Sequence, residues 1–221
     1  MNFLTVDALF SPGNTIAWEL LESVRYPFEL LAGLKDGICE IGKRLDPEIF
    51  ERTGENVWIA RSARVAASAD ITGPCIIDED AEIRHCAFIR GSAVIGKGCV
   101  VGNSTELKNV LLFDRVQVPH YNYVGDSILG FRSHMGAGAI TSNVKSDKTP
   151  VSISTHEGRL ETGLKKFGAV LGDRVEVGCG SVLNPGTVVG PDTNIYPLSM
   201  VRGYVPAGSI YKKAGEVVKK L

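Results

Sequence analysis

His120 stands in the stretch VPHYNYVGD, with Tyr121 directly after it and Tyr123 three positions on. Histidine takes and gives a proton near neutral pH without any special environment. Upstream, Arg90 and Lys108 lie eighteen residues apart, and Glu106 falls two before Lys108. A guanidinium grips a phosphate with two parallel bonds and an ammonium holds it as a point charge. Each residue also has a plainer reading. His120 can solvate a corner, Arg90 and Lys108 taken alone read as an exposed basic ladder, and Glu106 can simply pair with either cation. What must decide is the scaffold that positions them.

That scaffold is written as a repeat. Aliphatic residues fall at Ile59, Val65, Ile71, Ile77, Ile83, Ile89, Ile95, Val101 and Leu107, each six after the last. Four positions after each of the first eight comes a small residue, Ala63, Ala69, Cys75, Ala81, Ala87, Ala93, Cys99 or Thr105. A second run, Leu171, Val177, Leu183, Val189, Ile195 and Val201, holds the same beat. Helices repeat near 3.6 and strands near 2, so neither explains a period of six. A triangular coil does, with the aliphatic residue inside, the small one where the wall bends, and three hexads to a turn. Coils then stack at about 4.8 Å, and the eighteen-residue spacing puts Arg90 and Lys108 on one wall. Between Leu107 and Leu129 the beat shifts to Leu112, Val118 and Val124, and His120 lies in that region.

Residues 1–58 read differently. Apolar residues at Ile16, Leu20, Leu21 and Val24, then Phe28, Leu31, Leu34, Ile38 and Ile41, have helical spacing. Asn14 or Thr15 is the expected N-cap, and Pro27 opens a second helix at its first turn. The expected role of this segment is to cover the open end of the coil, whose strand edges would otherwise stay unpaired. The coil domain spans 59–221, with a polar insertion at 143–168 and a tail at 205–221 expected to form a short amphipathic helix. The expected fold is therefore an all-β parallel β-helix with a small helical N-terminal segment and an inserted loop.

With 44% hydrophobic and 22% charged residues and net charge −1, the chain gives no electrostatic reason to expect nucleic acid or an anionic membrane as partner. Nor does any uncharged apolar stretch approach membrane-spanning length. Five cysteines without CxxC spacing read as reduced thiols of a cytoplasmic protein. Cys75, Cys99 and Cys179 read as packing residues.

The stretches VGNSTELKN, PHYNYVGD, GAGAITSN and KKFGAVLGD together resemble the acetyltransferase domain of the bifunctional N-acetylglucosamine-1-phosphate uridyltransferase/glucosamine-1-phosphate acetyltransferase family, over roughly two thirds of the chain. The resemblance implies a left-handed coil and a homotrimer. It makes His120 the base that deprotonates an acceptor amine and Glu106 its orienting neighbour. Arg90 and Lys108 become ligands of a sugar phosphate, and Tyr123, Asn143 and Lys166 further substrate contacts. Gly136, Ala137 and Gly138 line the groove for the acyl donor, acetyl-CoA, and acetyl transfer requires no metal. The acceptor is an amino-sugar phosphate or a nucleotide sugar.

Three departures bear on that casting. No counterpart of the family's nucleotidyltransferase domain is expected in residues 1–58. His134 stands where the family places a sugar-contacting asparagine and is retained as a substrate-binding candidate. Tyr196 and Pro197 replace alanines beside the donor cleft. A non-catalytic sugar-nucleotide-binding or trimerisation module, akin to coil domains of sugar-1-phosphate nucleotidyltransferases such as UDP-N-acetylglucosamine pyrophosphorylases, is therefore the alternative. A three-histidine zinc hydratase site is a weak third reading: beside His85 and His120, the position a third ligand needs is Gly125.

Overall fold

A computed structural model describes residues 1–220. It is a left-handed parallel β-helix of about nine turns. Each turn lays one short strand on each of three walls. Cys75–Ile77, Ala93–Ile95, Ala169–Leu171 and Thr187–Val189 belong to the first wall, together with the C-terminal halves of Glu106–Leu112 and Tyr123–Leu129. The second wall includes Glu82–Ile83, Val100–Asn103, Gln117–His120, His134–Met135 and Glu176–Val177. On the third wall run Phe88–Ile89, the N-terminal halves of the two seven-residue strands, Ile140–Thr141, Val182–Leu183 and Met200–Val201.

The hexad residues fill the axis: Ile77, Ile89, Ile95, Val101 and Leu107 are fully buried. So are Cys75 and Cys99, and burial alone pushes the Cys75 thiol up to about 12. Cys179, read with them as a packing residue, is instead exposed on a corner.

Most of the N-terminal segment does not close the end of the coil, and only its last strand, Phe50–Gly54, covers an open edge there. The rest runs as a strap down the first wall, starting beside the late coils, where Phe3 meets Tyr204 at 4.5 Å with the rings tilted, and ending beside the early ones. Between them, Phe10 meets Phe113 at 4.6 Å and Phe28 meets Phe167 at 5.6 Å. The reason lies in the wall itself. In a three-residue strand the middle side chain points outward, and on this wall it is apolar: Ile76, Val94, Leu111, Ile128, Val170 and Val188, all at most 2% exposed. Covering each is worth about 1.5–3 kcal/mol relative to exposure, which favours the wall over the small open end. There Val65 stays 37% exposed.

The strap is also less helical than its periodicity suggests. It comprises short helices at Val6–Leu9 and Trp18–Glu22, a 3-10 helix at Pro27–Ala32 and one longer helix at Leu34–Gly42. Thr15 accepts the Ala17 N–H rather than capping directly, and Pro27 does occupy the first helical position. The strand Phe50–Gly54 then pairs antiparallel with Val57–Ala60, the first strand of the coil.

At the other end the tail is a hairpin, Ser209–Lys213 against Glu216–Lys219, not a helix; the final residue, Leu221, lies outside the described residues. Gly215 at φ 80° makes the turn and the Val217–Val218 pair prefers strand. The insertion carries a second hairpin, Ser152–Thr155 with Gly158–Glu161, anchored by the buried Val151, Ile153 and Phe167.

Candidate functional site

The shift in the beat has a definite location. Val101 pairs with Val118 and Leu107 with Val124, so the hexads that flank His120 keep step. The missing residue is at the corner between the third and first walls. Only Lys108 and Asn109 separate Leu107 from Val110, and only Gly125 and Asp126 separate Val124 from Ser127, where the preceding coil spends three residues between Ile89 and Ala93. The shortening therefore serves this corner and not, as its proximity suggests, the presentation of His120.

What the shortened corner builds is a polar hub around Asp126, whose carboxylate is only 5% exposed. Asn109 Nδ2 donates to it at 2.9 Å, and to the Leu31 carbonyl of the strap at 3.2 Å. Asn143 Nδ2 donates to the other carboxylate oxygen and lies 3.3 Å from the Tyr123 hydroxyl. Lys108 Nζ completes the group at 3.4 Å. Gly125 is required here, since a Cβ would sit 2.4 Å from the Tyr123 hydroxyl and 3.0 Å from Asn143 Nδ2. Burial first, then the charges of Asp126 and Glu106, hold the Tyr123 phenol above its ordinary pKa, so it stays a neutral donor.

Arg90 and Glu106 flank the hub on the third wall, joined by an ion pair of 2.6 Å. Arg90 donates its backbone N–H to Leu107, which makes Lys108 its successor one coil on, as the eighteen-residue spacing requires. Lys166 is exposed beside the hub, next to Phe167, whose N–H donates to the Asn143 carbonyl at 2.9 Å. Thus Arg90, Glu106, Lys108, Tyr123, Asn143 and Lys166 gather around one end of the third wall. Glu106 is committed to Arg90 and makes no hydrogen bond to His120.

His120 lies at the other end of that wall, on the exposed corner it shares with the second. Its carbonyl accepts the Gly138 N–H and the Ala137 carbonyl accepts that of Gly180, so His120, Ala137 and Cys179 stack in register. The N–H groups of Gly136 and Gly138 are spent on Val177 and His120. Among the described residues Ala137 N–H has no hydrogen-bond partner, which leaves one backbone donor one coil from His120.

The clamp that fixes this corner is Asn122, 2% exposed and given no role by the sequence reading. Its Oδ1 accepts the His120 N–H at 3.1 Å, and its Nδ2 donates to the Gly136 and Ala139 carbonyls at 2.8 and 2.9 Å. Gly102 makes room beneath, where a Cβ would fall 1.4 Å from the Pro119 carbonyl oxygen. Asn122→Ala strands the buried Ala139 carbonyl and the half-buried His120 N–H, while the Gly136 carbonyl keeps the Ala139 N–H, so we expect a loss of about 1–3 kcal/mol, read by urea unfolding, with His120 loosened as well.

His134 joins neither group. It sits on the outer face of the second wall between Gln117 and Glu176, with its Nδ1 2.8 Å from the Glu176 carboxylate. His85 likewise lies apart, with Nδ1 2.7 Å from Ser68 Oγ.

Residues 71–205 match the family model described as the GMPPB C-terminal domain. The uncharacterized acetyltransferase YaiX of Escherichia coli O6:K15:H31 is 30% identical over 174 residues, covering 79% of this chain and 75% of its own. The bifunctional protein GlmU of Methanococcus vannielii is 36% identical over 185 residues, 75% of this chain. The chain spans under half of that relative's length, 44%. A hexapeptide transferase family protein from Anaplasma phagocytophilum, known from its crystal structure, is 15% identical and superposes loosely, with a TM-score of 0.42 over 75% of this chain and 80% of that one. No helix of the described residues is long and apolar enough to cross a membrane.

Proposed function

The chain belongs to the hexapeptide-repeat acetyltransferase family that includes YaiX and GlmU, and from that premise we propose that it transfers an acetyl group from acetyl-CoA to the amine of an amino-sugar phosphate or nucleotide sugar. The observation that carries the reading is the division of labour along the third wall. Cations and neutral donors gather at one end, and a free histidine with a free backbone N–H stands at the other.

In this reading the Arg90 guanidinium and the Lys108 ammonium hold the acceptor's phosphate. Tyr123, Asn143 and Lys166 position its sugar. His120 takes a proton from the acceptor amine, because a protonated amine is no nucleophile. The nitrogen lone pair then attacks the thioester carbonyl, whose oxygen draws on the Ala137 N–H of the Gly136–Ala137–Gly138 turn. Collapse breaks the carbon–sulfur bond, the proton on His120 passes to the departing thiolate, and the nitrogen sheds its remaining surplus proton to solvent, leaving a neutral amide and free CoA.

His120 stands on a convex corner, so one chain offers the acyl donor half a groove. Tyr121 is 62% exposed on that corner, and Tyr196, Leu198 and Met200 form an apolar patch 45–85% exposed three coils on. Such a patch asks for cover. A homotrimer in which a neighbouring copy closes the groove supplies it.

Arg90→Gln and Lys108→Gln are expected to raise KM for a phosphorylated acceptor tenfold or more while KM for acetyl-CoA holds. Equal KM values for phosphorylated and unphosphorylated acceptors in the wild type would overturn this placement. Two observations favour the alternative, a non-catalytic sugar-nucleotide module: Glu106 engages Arg90 instead of His120, and the family model is that of a GMPPB C-terminal domain. That module binds ligand without turnover.

A further inference from the structure

We propose a phosphate-binding site on the corner between the first and second walls, lined by Arg115, Gln117, Arg132, His134 and Glu176 around a cleft of ≈ 330 Å³. Nothing in the acetyl-transfer scheme uses these residues; His134, whose expected place was beside the sugar, lies here instead.

Arg115, Arg132 and Arg174 hold the same corner position in three successive coils, at φ 60°, 57° and 57°. Their backbone N–H groups donate to Lys97, Asp114 and Phe131 of the preceding turns, which fixes the stack in register. Neighbouring cations at this corner are neutralised: Lys97 by Glu79 at 2.6 Å, and Arg174 by both oxygens of Asp192 at 2.6 and 2.8 Å. Arg115 and Arg132 are not, since neither makes an ion pair among the described residues. The coil spacing stacks the two backbone positions about 4.8 Å apart, and with the Arg132 guanidinium over the Phe131 ring at 5.1 Å, both side chains line the one cleft, where an anion between them offsets their like charges. Their forks suit the oxygens of a phosphate or diphosphate.

The rest of the lining fits that occupant. Glu176 is the one carboxylate in the cleft, and it is spent on His134 Nδ1 at 2.8 Å. That contact fixes the ring and leaves Nε2 for a ligand. Gln117 adds an amide. Two fixed positive charges against one engaged carboxylate leave the lining cationic.

The cleft is separate from Arg90 and Lys108, which sit across the third wall, but His120 is only three residues along the strand from Gln117, about 10 Å. A diphosphate held here therefore lies within one ligand's length of His120. Both an acyl-CoA and a nucleotide sugar carry a diphosphate, so the chemistry is shared and the source is a matter for experiment.

Calorimetric titration of the full chain with pyrophosphate, UDP and CoA separates the possibilities. Arg115→Asn and Arg132→Asn are the variants of choice because asparagine tolerates a positive φ; matching melting curves confirm the fold. Arg64→Gln, several coils away on the second wall, is the control. Pyrophosphate should bind the wild type and the control alike and bind the double variant at least tenfold more weakly. Whichever of UDP and CoA loses affinity in the same variant is the natural source. Equal binding of pyrophosphate by wild type and double variant, or no saturable binding of any of the three, would overturn the site. Catalysis does not enter the readout: the His120→Ala protein should bind pyrophosphate normally even if acetyl transfer is never found.

Discussion

Asp126→Ala should destabilise the chain by about 3–5 kcal/mol, the cost of removing one partner from a buried charged pair. The carboxylate is 5% exposed and accepts from Asn109 and Asn143 while facing Lys108. Without it, an ammonium and two amides face an apolar methyl, and none is free to turn fully to water. Asn109 also donates to Leu31, so the loss reaches the strap that covers the first wall. Asp126→Asn keeps the shape but meets two amide donors with a single acceptor, and it should fall between the two. Urea unfolding measures the series, and a shift below about 1 kcal/mol for the alanine variant would mean that the hub contributes no more than a surface pair does.

His120→Ala should have the opposite profile. Its side chain makes no hydrogen bond and stands exposed, so the melting temperature should stay within a degree or two of wild type. Loss of a general base should cost about 10²–10⁴ in kcat. Acceptor affinity should hold, because the phosphate contacts lie at the far end of the third wall. One variant that loses activity without stability, beside another that loses stability first, separates the chemistry from the scaffold. If His120→Ala retained kcat within a few-fold, the base would have to be another group, and His134 with its Glu176 carboxylate is the histidine built to replace it.

Much of this was open to a reader of the residues. Nine aliphatic residues at six-residue steps leave no reasonable alternative to the coil, and the column of Arg90 above Lys108 follows from a coil of eighteen. The position of the strap was legible too, had the middle residue of every third hexad been read: Ile76, Val94, Val170 and Val188 mark the one wall that cannot face water. Other features depend on geometry that a periodic pattern averages away. The five-residue steps from Leu107 to Leu112 and from Val124 to Leu129 signalled two shortened corners. Their consequence, a buried carboxylate gathering Lys108, Asn109 and Asn143, depends on side chains that meet only after the coil has closed. Asn122 was hidden for a similar reason. Between two tyrosines it looks like a loop residue, and only the turn of the following coil shows which carbonyls it serves. The tail misled because GEVVKK fits a helix in composition, whereas the glycine and the paired valines turn it into a hairpin.

Purified protein with acetyl-CoA and glucosamine-1-phosphate, followed for released CoA thiol and for N-acetylated product together, tests the central claim most directly. The account predicts equal amounts of thiol and amide from the wild type and a loss of both in His120→Ala. Tight binding of the sugar phosphate or its nucleotide with no thiol released from any amino-sugar acceptor would contradict it, and would leave a coil that holds a nucleotide sugar without acting on it.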